Sequence, residues 1–140
     1  MAKLSDFAVD ADAIKDGEWV RLGGDYDDIE IHTRGLTDQY WDTTSAKQRK
    51  MAQGFNGDTE ALPVRHRRDI NTRAFIEHCL LDPPVKNLFH DDARTKEVTG
   101  EEFRKMLLDP RYQKLVAACY AAARRVGQNI DSDMDAAAKN

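Results

Sequence analysis

Apolar and polar residues alternate in two short runs near the start of the chain, Glu18-Trp19-Val20-Arg21-Leu22 and Asp28-Ile29-Glu30-Ile31-His32. A period of two is the signature of a strand with one face buried. Between the runs lies Gly23-Gly24-Asp25-Tyr26-Asp27, rich in residues that accept turn dihedrals. The pattern predicts a β-hairpin over about 18–33, its polar face drawn in part from Glu18, Arg21, Glu30 and His32. A lone hairpin is marginal in water, so one face has to pack on helices.

After Gly35 the period lengthens. Thr37-Asp38 offers a helix start, and Leu36, Tyr40, Met51 and Phe55 fall at helical spacing, with Thr44 and Lys47 interrupting the stripe. This predicts a helix over about 37–53, followed by a loop at Gly54, Gly57 and Asp58. Pro63 opens a second helix over about 63–81, because proline is tolerated in the first turn. Its apolar side is Ile70, Ala74, Phe75, Cys79 and Leu80, and Asp82-Pro83-Pro84 stops it. The connector Val85–Lys96 is expected to tuck Val85, Leu88 and Phe89 against the core.

Thr99-Gly100-Glu101-Glu102 fits a capping box that starts a third helix over about 100–108, with Phe103, Met106 and Leu107 on one side. Asp109-Pro110 starts a fourth over about 110–126, aspartate at the N-cap and proline in the first position. Tyr112, Leu115, Val116, Cys119, Tyr120, Ala123 and Val126 then repeat at three and four residues as a wide apolar stripe. Gly127 is placed as the C-cap, and Arg124 and Arg125 in the last turn complement the helix dipole. The prediction is mainly α, about four helices packed with a small N-terminal β-hairpin. One globular domain spans 13–127, between a flexible arm at 1–12 and a polar, flexible tail at 128–140.

Composition agrees with a folded domain: 140 residues, 41% hydrophobic and 33% charged. The balance is mildly acidic, 25 Asp plus Glu against 21 Lys plus Arg, without the basic surplus that steers a protein to nucleic acid. Only Arg65-His66-Arg67-Arg68 through Arg73 is locally basic, and it reads as a solvated helix face or a patch for an acidic protein partner. Cys79 and Cys119 sit in apolar helical contexts, as buried thiols rather than a disulfide framework. No apolar run approaches a membrane span, and the start of the chain has no signal-peptide apolar region. A cytoplasmic protein is expected.

The search for chemistry is negative. His66, His78 and His90 recur every twelve residues, a spacing that turns successive members to different sides of a helix, and no pair stands four apart as in a helical zinc site. His90-Asp91 matches two residues of metal-dependent phosphohydrolases, which is too short to carry information. The cysteines lie on apolar faces where desolvation keeps a thiol inert. No serine sits in a glycine elbow, and Gly23-Gly24 lacks the lysine of a phosphate loop. No catalytic, metal or cofactor-binding residue is assigned. Tyr40 and Trp41 are adjacent, so both cannot face inward on a helix, and an exposed aromatic is a common interface anchor.

The order of elements resembles the tail assembly chaperones of long-tailed, siphovirus-type bacteriophages. A glycine-led strand, Asp16 to Leu22, is followed by a second, Ile29 to Gly35, and by a helix with the aromatic Tyr40 near its start. A later helix, Ala74 to Asp82, precedes an apolar connector, and the closing segment Glu102 to Tyr112 leads into an alanine-rich helix, Leu115 to Arg125. The likeness runs from about 13 to 126, and its most specific part is the Leu-Leu-Asp-Pro-Arg-Tyr junction, Leu107 to Tyr112. The family's connector is often led by an Asp-Trp pair, whereas here Asp82 is followed by Pro83-Pro84.

The resemblance implies binding without catalysis. Its expected partner is the tape measure protein, a long helical chain kept from aggregating until the tail tube forms, with the major tail tube protein as a further partner and a homo-oligomer left open. The implied partner-binding residues are Tyr40, Trp41, Leu107, Tyr112, Leu115 and Tyr120. The implied place is the host cytoplasm, with the protein absent from the mature virion. Family members often exist also as a longer frameshifted product, and Ala138-Lys139-Asn140 could be encoded by a slippery run of adenines. The alternatives are a tail completion or head–tail joining protein retained in the particle, and a small helical regulator that binds nucleic acid through Arg65 to Arg73.

Overall fold

The computed structural model describes residues 3–26 and 28–128. The main elements are α1 (Ala11–Asp16), β1 (Glu18–Arg21), β2 (Glu30–Thr33), α2 (Asp38–Ala52), α3 (Val64–His78), β3 (Leu80–Lys86), α4 (Gly100–Leu107) and α5 (Gln113–Arg125). The fold is mainly α with a small antiparallel sheet.

The sheet has three strands in the order β1-β2-β3. Val20 lies opposite Ile31, and Ile31 opposite Val85, so one apolar residue from each strand faces the helices. There they join Phe75, Phe103, Leu115 and Cys119 in a single core. On the other face, Trp19 stacks on His32 with ring centroids 4.8 Å apart, and Lys86 Nζ stands 4.5 Å from the Trp19 ring.

Three expectations need correction. The hairpin predicted over 18–33 is present but is two-thirds of a sheet, because the segment read as helix end and connector is β3. Helix α3 stops at His78, three residues before the predicted end at Leu81. Cys79 then hands the chain to the sheet: its carbonyl accepts from Arg34 N–H at 2.8 Å and Thr33 Oγ1 at 3.3 Å. Prolines that end a helix are tolerated in an edge strand, where the missing N–H need not face a neighbour; the Asp82–Pro83 bond is cis.

The second correction concerns α2. Its buried residues are Tyr40, Thr44 and Ala52, with Gln48 bonded to Asn71 at 2.9 Å. Thr44 therefore lies on the inner stripe rather than interrupting it. Met51 and Phe55 are exposed, and Thr44 faces inward with its hydroxyl satisfied by the Trp41 carbonyl at 2.9 Å. The third concerns the N-terminal arm, which holds a 3-10 turn, Leu4–Phe7, and the start of α1. Asp10 caps α1 by accepting from Ala13 N–H at 3.1 Å. The arm is fastened to the residues just after α5 through Asp10 N–H, which donates to the Gly127 carbonyl at 2.8 Å. Gly127 adopts φ of 78°, and a Cβ there would lie 2.7 Å from the Asp10 carbonyl oxygen. Glycine is the residue that permits both.

The last third follows its local signals. Thr99 Oγ1 accepts from Glu102 N–H at 3.2 Å and Glu102 accepts from Thr99 N–H at 3.1 Å, completing the capping box of α4. The segment predicted as a helix from 110 opens instead with a 3-10 turn, Pro110–Tyr112, capped by Asp109, before α5 begins at Gln113. The tail predicted at 128–140, and with it the proposed slippery end, lies outside the described residues beyond Gln128.

Candidate functional site

Neighbours on a helix point about 100° apart, and α2 uses this to divide its aromatic pair. Tyr40 is 2% exposed and Trp41 is 52% exposed. Tyr40 Oη lies 2.9 Å from Tyr120 Oη, and Tyr120 Oη lies 2.8 Å from the Asn71 carbonyl. A carbonyl can only accept, so the Tyr120 proton goes to Asn71 and Tyr40 donates to the Tyr120 oxygen. Burial drives the Tyr120 hydroxyl far above its ordinary pKa, with the Tyr40 bond acting the same way; burial also raises Tyr40. Two neutral phenols thus tie α2, α3 and α5 together. Tyr120 also packs on Phe75, ring centroids 4.8 Å apart.

Two clefts flank α5. The first, about 370 Å³, lies between α2, α3 and α5, and its apolar lining includes Leu36, Trp41, Val116, Ala117 and Tyr120. Arg68 and Arg124 stand on it as well. Through Arg68, Thr72, Gln113 and Val116 it runs on into a smaller hollow of about 90 Å³ at Leu107 and Pro110. At the other end Leu36 and Arg124 carry it toward Gln128. The second cleft, about 670 Å³, lies on the opposite side of α5, where Tyr26, Ile29, Phe89, Met106, Tyr112 and Leu115 meet.

The six residues implied as partner-binding therefore separate. Tyr40, Trp41 and Tyr120 line the first cleft, Leu107 its continuation, and Tyr112 and Leu115 the second. Tyr40, Leu107 and Leu115, 2%, 3% and 7% exposed, are framework residues. Trp41, Tyr112 and Tyr120 offer side-chain surface. Leu36, Val116 and Ala117 complete the first cleft without having been singled out. Leu36 and Val116 carried only a core-stripe signal, and Ala117 carried none.

His78, His90 and Asp91 are engaged in local structure. His78 Nε2 lies 3.1 Å from Thr43 Oγ1, and His90 Nε2 lies 2.8 Å from Glu102. Asp91 accepts from the Thr95 and Lys96 amides at 3.1 and 3.2 Å, which makes it the anchor of the β3–α4 connector. Burial pushes the Cys79 thiol up to about 11 and the Cys119 thiol up to about 12. Among the described residues no three His, Cys, Asp or Glu side chains group as metal ligands, and no helix is long and apolar enough to cross a membrane.

Compared with protein-family models, curated proteins and solved structures, the chain matches none. The functional reading therefore rests on the residues and their arrangement.

Proposed function

We propose that this chain is a non-catalytic tail assembly chaperone of a long-tailed bacteriophage, which binds the tape measure protein in the host cytoplasm and leaves before the virion is complete. The observation that carries the reading is the apolar cleft beside α5, with Trp41 half exposed at its edge. A groove between helices, lined by aliphatic and aromatic side chains, suits an apolar stripe of another helix. The order of residues from Gly17 to the Asp109-Pro110 junction supports the family.

The test is co-expression of the tagged chain with segments of a tape measure protein from the same genome, followed by affinity purification and proteomics of purified virions. A stable, soluble complex and absence from the particle are expected. Presence in the virion at a fixed stoichiometry would favour the tail completion or head–tail joining role instead.

A further inference from the structure

The first cleft has a local excess of cationic side chains. The chain carries a formal net charge of −4, yet the continuous groove along α5 presents Arg65, Arg68 and Arg124. Its two carboxylates are already engaged: Asp69 pairs with Arg73 at 2.9 Å and Asp109 with Arg111 at 2.8 Å. Among the described residues Arg65, Arg68 and Arg124 form no ion pair, so the groove keeps a positive rim over an apolar floor.

We infer that this groove is a charge-selective docking site for a helix of another protein whose apolar stripe is flanked by Asp and Glu. Leu36, Trp41, Val116 and Tyr120 receive the stripe, while Arg68 and Arg124 meet the flanking carboxylates. The inference deepens the binding-protein reading and rests on it for the occupant being a partner helix. Helix α5 runs 13 residues, roughly 20 Å of groove wall at about 1.5 Å per residue. That length accommodates several turns of a partner, so acidic residues spaced along the flanks of its stripe can meet the two arginines at separate points of the groove. A nucleic-acid occupant fits less well. A strand of phosphates needs a track of cations with few carboxylates, whereas this rim sets its arginines around an apolar floor on an acidic protein.

Selectivity of this kind comes as much from repulsion of the wrong sign as from attraction of the right one. The probes are two synthetic helices of about 20 residues, roughly 30 Å long, with the same leucine stripe and either glutamate or lysine flanks. Binding to the full chain is followed by anisotropy of labelled probe at low salt, alongside a labelled oligothymidylate. The glutamate probe is expected to bind about tenfold tighter than its lysine twin, with the difference shrinking at high salt. Arg68→Glu/Arg124→Glu is expected to reverse the preference, and the Gln pair to abolish it. Trp41→Ala is expected to weaken both probes, and circular dichroism melts check that every variant is folded.

Equal binding of the two probes, unchanged preference in the charge-reversed variant, or undiminished binding by Trp41→Ala would each overturn the proposal. Tighter binding of the oligonucleotide than of either peptide would do the same and would assign the groove to nucleic acid. Failure of the chaperone reading looks different: the wild-type chain would not retain tape measure segments at all. If it retains them and the charge-reversed variant does so equally well, the groove inference falls alone.

Discussion

At the scale of single residues, the Tyr40–Tyr120–Asn71 chain shows how position decides what a hydroxyl is worth. Tyr120 both donates to Asn71 and accepts from Tyr40. Removing its hydroxyl leaves the Tyr40 donor unpartnered in a site where Tyr40 is 2% exposed. Removing the Tyr40 hydroxyl leaves Tyr120 still bonded to Asn71. A stranded buried donor costs about 1–3 kcal/mol, against about 1 kcal/mol for one lost bond. Urea unfolding is therefore expected to rank Tyr120→Phe as more destabilising than Tyr40→Phe. The reverse order would show that water reaches the pair.

The buried thiols make a second residue-scale prediction. Their folded pKa values, about 11 for Cys79 and about 12 for Cys119, lie above the ordinary value. The folded state therefore holds protons that the unfolded chain releases first. That contribution to stability is present in full below the unfolded pKa, and it is lost as pH rises through the folded values. The unfolding free energy is expected to fall between about pH 9 and pH 12, less steeply in Cys119→Ala than in the wild type. A thiol reagent at neutral pH should modify neither cysteine until the chain unfolds.

At the scale of elements, the capping box of α4 lends itself to a sharp test. Thr99→Ala removes the side-chain acceptor for Glu102 N–H and is expected to cost about 1 kcal/mol. Thr99→Ser should restore most of it, as read from thermal melts. This cap was legible in the sequence because it needs only residues three apart, and the stripe of α5 was legible because a helix writes its period locally. β3 was not legible. Its partners Ile31 and Thr33 lie about fifty positions earlier in the chain, and the two prolines locally signal only a stop. The inner face of α2 was misread for a related reason. Thr44 is acceptable inside because of a bond to its own helix, and Met51 and Phe55 lie outside because no neighbour covers them.

At the scale of the whole molecule, the candidate site was legible as residue types and not as places. Trp41 comes from α2, Arg68 from α3 and Tyr120 from α5, and only the fold brings them to one groove. The sequence could say that one of Tyr40 and Trp41 faces outward without saying which. With that settled, folding and binding should separate at adjacent positions. Tyr40→Ala empties a filled site in the core and is expected to cost about 3–5 kcal/mol, enough to unfold much of the population. Trp41→Ala removes a ring already 52% exposed, so its melting curve should stay close to that of the wild type, within about 1 kcal/mol. If the groove receives a partner helix, the same substitution removes an aromatic anchor from the interface and is expected to weaken capture of that partner about thirtyfold, roughly the 2 kcal/mol of a hot spot. A folded Trp41→Ala protein with undiminished capture would place the contact elsewhere, with the Tyr112 side of α5 the next surface to probe.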